Sequence, residues 1–137
     1  MSDVVGVVVA HGDMAASMIR AAEEISGVRG ALSPISNLGC TPEELSARVE
    51  TAVGEGPAII FVDLASGSCA FAGRALCMRS PRVAVVTGVS LSMLLDFVFH
   101  RDMELETLSR RLVAKGRAGT TLHLPGESSR ADQPVSD

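Results

Sequence analysis

Three short runs of β-branched residues recur at helix-length intervals along this chain: Val4 to Ala10, Ala58 to Val62 and Arg82 to Val86. Each run is apolar at consecutive positions, the pattern of a strand buried on both faces. A weaker strand is expected at about Ala31 to Ile35. The intervals carry helical spacing. Met14, Met18, Ile19, Ala22 and Ile25 fall on one face, with Asp13 as N-cap and Gly27 as C-cap. Thr41-Pro42-Glu43-Glu44 opens a second helix as a capping box, continued by Leu45, Val49 and Val53. A third is expected near Cys69 to Met78. A fourth is capped by Ser90, through Met93, Leu94, Phe97 and Val98. A fifth is capped by Asp102, with Leu105, Leu108 and Leu112 on one face. The resulting βαβαβαβα order specifies an α/β fold, a doubly wound parallel sheet with helices on both faces. Thr120 to Leu124 is a short apolar piece that can add an antiparallel edge strand.

The 137 residues suffice for one domain with a proper core. Residues 1–125 are expected to form it, with 126–137 as a disordered tail. An apolar content of 47% with 20% charged residues excludes an unfolded chain. Aromatics are 3%, which argues against stacking on bases or a flavin ring. A net charge of −4 gives no basic face for nucleic acid or an anionic membrane. The first apolar run is too short to span a bilayer and lacks a basic flank, so the chain reads as cytoplasmic, with no membrane insertion. Three cysteines without CxxC fit reduced thiols. The histidines at 11, 100 and 123 show no metal-ligand spacing, and no metal site is expected.

Folds of this class bind ligands where the strands end at their carboxyl side. His11 stands there after the first strand, facing the amides of the helix that follows. Those amides and the helix dipole hold anions. A neutral imidazole is a competent nucleophile near pH 7, so a phosphoryl group could sit on His11. The other reading is a histidine that fills a loop. Gly12 lets backbone approach closely. Asp63 follows the third strand. In the order 2-1-3-4 that strand lies beside the first, so Asp63 could fix the tautomer of His11, or simply cap its own loop. Ser66, Gly67 and Ser68 offer amides and hydroxyls to phosphate oxygens, or form an ordinary turn. Neither GxxxxGK[ST] nor GxGxxG occurs, so nucleotide cofactors lack a motif.

Three blocks carry a family resemblance: Val7-Val8-Val9-Ala10-His11-Gly12, Phe61-Val62-Asp63-Leu64-Ala65-Ser66-Gly67-Ser68, and Val86-Thr87-Gly88-Val89-Ser90-Leu91-Ser92-Met93-Leu94. Together they span about residues 4 to 100. The chain resembles the mannose-family enzyme IIA domain of the bacterial sugar phosphotransferase system. The resemblance implies a flavodoxin-like three-layer sandwich and a homodimer in which the edge strand can be exchanged. It implies a phosphohistidine carrier that is charged by HPr and discharged to an enzyme IIB component, without a cofactor. His11 matches the phosphorylated histidine, Asp63 the orienting aspartate, and Ser68 a serine beside the phosphate, with Gly12 and Gly67 lining the site. Where the family usually reads Gly-Gly-Ser-Pro, this chain has Ser66-Gly67-Ser68-Cys69. The third block has Ser90 and Ser92 in place of Asn and Pro. These changes leave a regulatory binding module as an alternative. The phosphotransfer subunit of dihydroxyacetone kinase is a related one that shares the fold and the histidine.

Cys69 is expected to be a packing residue, or else a thiol whose pKa the helix N-terminus lowers. His100 reads as a helix-end cation, His123 as structural or solvent-facing, and Arg110, Arg111 and Arg117 as a solvated helix face.

Overall fold

A computed structural model describes residues 3–126. The strands are β1 (Val5–Ala10), β2 (Leu32–Ser36), β3 (Ala58–Val62) and β4 (Val83–Thr87). The helices are α1 (Met14–Ser26), α2 (Pro42–Val53), α3 (Ser68–Arg79), α4 (Leu91–Val98) and α5 (Leu105–Ala118). All strand pairings are parallel, and the order is β2-β1-β3-β4. This is the sheet expected from the sequence.

The unbroken apolar runs divide by strand period between two cores. Val8 and Ala10 of β1, with Ile59 and Phe61 of β3, meet α1, α4 and α5. Val7 and Val9, with Ala58, Ile60 and Val62, meet α2 and α3 on the opposite face. Gly6 has a specific packing reason. A Cβ there would come within 2.6 Å of Phe97 and 2.7 Å of Leu32. Its absence lets Phe97 settle over β1 and meet Phe61 edge to face, with centroids 5.2 Å apart.

Helix ends follow their chemistry with two departures. Thr41 and Glu44 form the reciprocal capping box, Ser90 caps α4, and Gly27 closes α1 in the left-handed region. Asp13 stands at the N-cap position of α1 but its side chain caps nothing. The cap of α5 is Glu104, whose carboxylate accepts from the amides of Glu106 and Thr107; Asp102 lies in the preceding turn. The buried face of α1 is Ala15, Ile19 and Ala22, whereas Met14 and Ile25 are exposed. Ile19 and Ala22 are thus buried as expected and Met18 packs against the same core, while Ala15 takes the inward place expected of Met14.

Thr120 to Leu124 forms no strand of the sheet, and Leu122 and Leu124 are exposed. All but the first residue of the expected tail lies outside the described residues. Among the described residues, no helix is long and apolar enough to cross a membrane.

Candidate functional site

The parallel register sets Val9 beside Val62, so β1 and β3 end together. The next residues are His11 and Asp63, from positions 52 apart in the chain. Their hydrogen bonds are specific. Asp63 Oδ2 lies 2.7 Å from His11 Nδ1 and accepts from the His11 amide at 2.9 Å. Asp63 Oδ1 accepts from the Leu64 amide at 2.9 Å. Burial is the largest single influence on Asp63 and pushes its carboxyl up. The bonds from the His11 ring, the His11 amide and the Leu64 amide together outweigh it and hold the carboxyl below its ordinary value. Asp63 is therefore an ionised acceptor, and an acceptor requires a proton on Nδ1. In a neutral ring the lone pair is then on Nε2. No described residue hydrogen-bonds Nε2. The Asp63 side chain is 7% exposed and the His11 side chain 45%, so an anchored carboxylate holds a ring that looks out on solvent.

The surrounding loops keep the ring clear. Gly12 adopts φ +61° and donates its amide to Asn37 Oδ1 at 3.2 Å, tying the β1 loop to the end of β2. Gly67 adopts φ +98° at the start of α3, and a Cβ there would lie 3.9 Å from His11 Cε1. Ser68 is the exposed first residue of α3. Arg74 donates to the carbonyl of Ala65 at 2.7 Å and holds the loop from below. Neither α1 nor α3 has a side-chain cap, so first-turn amides of both helices remain open beside His11.

The site thus gathers His11, Gly12, Asp63, Gly67 and Ser68. Sequence reasoning missed Asn37 and Arg74. Asn37 had a signal, an Asn directly after a strand; Arg74 had none, because its role depends on helix phase. Cys69 is the packing residue expected, part of the core between the sheet and helices α2 and α3, and not a thiol of lowered pKa. It is fully buried, yet its sulfur lies 3.9 Å from His11 Nδ1. Its thiol pKa is raised rather than lowered. Burial is the main cause and the nearby Asp63 charge adds to it, against a hydrogen bond with Ser68.

The other histidines are elsewhere. Arg101 and Val4 exchange two hydrogen bonds at the start of β1. His100 precedes Arg101 and so lies roughly 20 Å from His11, about one strand length away. Its Nδ1 donates to the Asp96 carbonyl at 2.7 Å. His123 is exposed, with its Nε2 3.3 Å from Thr121 Oγ1. The arginines are not simply a solvated face: Arg111 makes a two-bond pair with Asp96 at 2.7 and 2.9 Å, which pulls that carboxyl's pKa down.

A family model described as EIIA-man, PTS system fructose IIA component, matches residues 6–112. A search by sequence among curated proteins finds no match. Solved structures show the same fold. A phosphotransferase system EIIA component from Streptococcus agalactiae superposes with a TM-score of 0.81 at 21% identity, over 87% of this chain and 96% of that one. The mannose/sorbose specific IIA subunit from Enterococcus faecalis gives 0.75 at 22% identity, over 90% and 98%. A IIA protein associated with a fucose utilization operon in Streptococcus pneumoniae gives 0.69 at 19%, over 83% and 93%. The family match covers most of the sequence and includes both His11 and Asp63, and on that ground the chain belongs to the mannose-family enzyme IIA components of the bacterial sugar phosphotransferase system.

Proposed function

We propose that this IIA component is a phosphohistidine carrier that takes its phosphoryl group on Nε2 of His11. The observation that supports this most is the Asp63–His11 pair, which protonates Nδ1 and leaves the Nε2 lone pair facing solvent. In the forward step that lone pair attacks phosphorus in line. The N–P bond to the histidine of HPr breaks, and its electron pair returns to the departing ring. Asp63 then faces a ring that has gained positive charge, and stabilises it. Open amides of α1 and α3, with the Ser68 hydroxyl, receive the phosphoryl oxygens, while Gly12 and Gly67 let backbone come close. The work is positioning and electrostatics, and no nucleotide is required because the donor is already a phosphoramidate. The group then leaves to an enzyme IIB component, all in the cytoplasm.

Exposed Leu38 and Leu64 flank the site on the loops after β2 and β3, and support docking of a protein donor and acceptor there. A homodimer is supported by β4. It is an outer strand with no neighbour on its far side among the described residues, and Phe71 and Met78 beside it are 67% and 87% exposed. A second reading, a regulatory module that docks on a target according to its phosphorylation state, rests on the loop Ser66 to Cys69, where the chain departs from the family pattern.

The test is intact mass after incubation with phosphoenolpyruvate, enzyme I and HPr. The expected result is one acid-labile phosphoryl group, absent from His11→Ala. An unchanged gain in that variant would sink the assignment. Transfer onward to an enzyme IIB separates the carrier from the regulatory module.

A further inference from the structure

His11, Asp63 and Cys69 arrive from the ends of two strands and the first turn of α3, and one ligand atom from each lies within 4.8 Å of the others. The phosphocarrier reading uses two of these residues and gives no task to the third. We propose that the three form a zinc site, with Nδ1 of His11, a carboxylate oxygen of Asp63 and Sγ of Cys69 as ligands and water in the fourth position.

The donor set fits the ion. Zinc accepts nitrogen, oxygen and sulfur in a tetrahedral arrangement, and three protein ligands with one open position is a recurring form of its sites. Edges between ligand atoms in such a tetrahedron are about 3.3–3.6 Å, from bond lengths of roughly 2.0–2.3 Å. The observed Nδ1–Oδ2 separation is 2.7 Å and Sγ–Nδ1 is 3.9 Å. The first must open and the second close, each by less than about 1 Å, and the carboxylate–sulfur separation, within 4.8 Å, must close to the same edge length. Charge also fits: a divalent ion with one thiolate, one carboxylate and a neutral imidazole is a neutral assembly, which suits a pocket whose floor is buried. Entry is from the His11 side, where the ring is exposed.

Protons balance as follows. Cys69 releases its thiol proton to solvent. The Nδ1 proton of His11 passes to Nε2, so Nδ1 turns its lone pair to the metal. Zinc binding and phosphoryl uptake therefore exclude each other, since the bound form has a protonated Nε2. That exclusion rests on the phosphocarrier reading; the binding itself does not.

Cobalt(II) is the probe, because zinc has no spectrum of its own. The purified full chain, with HPr and phosphoenolpyruvate absent, is titrated with Co²⁺ and then with Zn²⁺. One equivalent of Co²⁺ is expected to give a sulfur-to-cobalt charge-transfer band with the visible spectrum of a tetrahedral ion, bleached by one equivalent of Zn²⁺. A Cys40→Ser/Cys77→Ser variant should keep the band. Cys69→Ala should abolish it and weaken Zn²⁺ binding by about 100-fold or more, beyond the effect of losing a mere supporting group. Cys69→Ser keeps the side-chain volume and serves the same purpose if the alanine variant melts early. Asp63→Asn should weaken binding without removing the band. No band in the folded wild-type protein, or one that survives replacement of Cys69, overturns the proposal. Phosphoryl uptake is scored separately by mass without metal, so either result can fail while the other stands.

Discussion

Helices α2 and α3 both start at the carboxyl end of the sheet, yet their first turns are finished in opposite ways. In α2 the Thr41 hydroxyl accepts from the Glu44 amide at 3.1 Å, and the Glu44 carboxylate accepts from the Thr41 amide at 2.8 Å. Its orphan donors are served from within. In α3 the N-cap is Gly67, which has no side chain to offer, and α1 likewise has no side-chain cap. The two unserved helices flank His11, and the self-sufficient one does not contribute to the site. A cap adds about 1 kcal/mol of stability. Its omission at α1 and α3 leaves first-turn donors open to an anion. The contrast separates the residues that hold the fold from those that hold a ligand.

The sharpest way to break this contrast is Asp63→Asn. An amide can still accept from the His11 backbone, but it no longer fixes the ring tautomer. Phosphoryl uptake should fall on the order of 10³-fold, with a much smaller change in melting temperature. Rapid-quench labelling beside a thermal melt reads both, and equal losses would mean that Asp63 is only structural. Gly67→Ala comes next. The new Cβ meets a left-handed backbone at φ +98°, which costs about 1–3 kcal/mol unless the loop moves. Stability and uptake should drop together, as seen by denaturant titration and labelling. Thr41→Ala should cost about 1 kcal/mol in the same titration and leave uptake unchanged. A loss of uptake there would collapse the distinction between the two helices.

The smallest effect is in acid. Asp63 and Glu44 both have folded-state pKa values held below the ordinary 3.8 and 4.5. Burial opposes the shift of Asp63 but is outweighed by three hydrogen bonds, whereas Glu44 is lowered first by its bond with the Thr41 amide. Each contributes stability above its ordinary pKa and loses it as pH falls through its folded value. Melting temperature against pH should therefore fall less steeply below about pH 4 in Asp63→Asn, and the change in Glu44→Gln should be smaller still because that group is exposed. Identical curves for all three proteins would contradict the shifts.

The sheet was legible because its signal is local and repeated. The runs at Val4, Ala58 and Arg82 need no knowledge of their neighbours, and their order with the helices leaves few topologies. His11 and Asp63 were legible because strand ends in such a sheet lie together. What could not be read depends on phase and reach. One edge of the α1 face turns on whether Met14 or Ala15 points inward, while Ile19 and Ala22 lie on it either way. The cap of α5 moved from Asp102 to Glu104 because either carboxylate suits a helix start. The pairing of Arg111 with Asp96 spans two helices with no common motif. Cys69 lies 58 positions from His11. No spacing rule marks such a pair, and neither the cysteines nor the histidines taken alone have metal-ligand spacing.

One oxygen atom of Asp63 receives both the ring and the backbone amide of the same residue, His11. Main chain and imidazole are thereby fastened to a single point. Any change in charge on the ring redistributes electron density on that oxygen, and the amide proton sharing it will register the change. The His11 backbone resonance is thus a built-in reporter of the charge on its own ring, readable in solution without a label on the side chain.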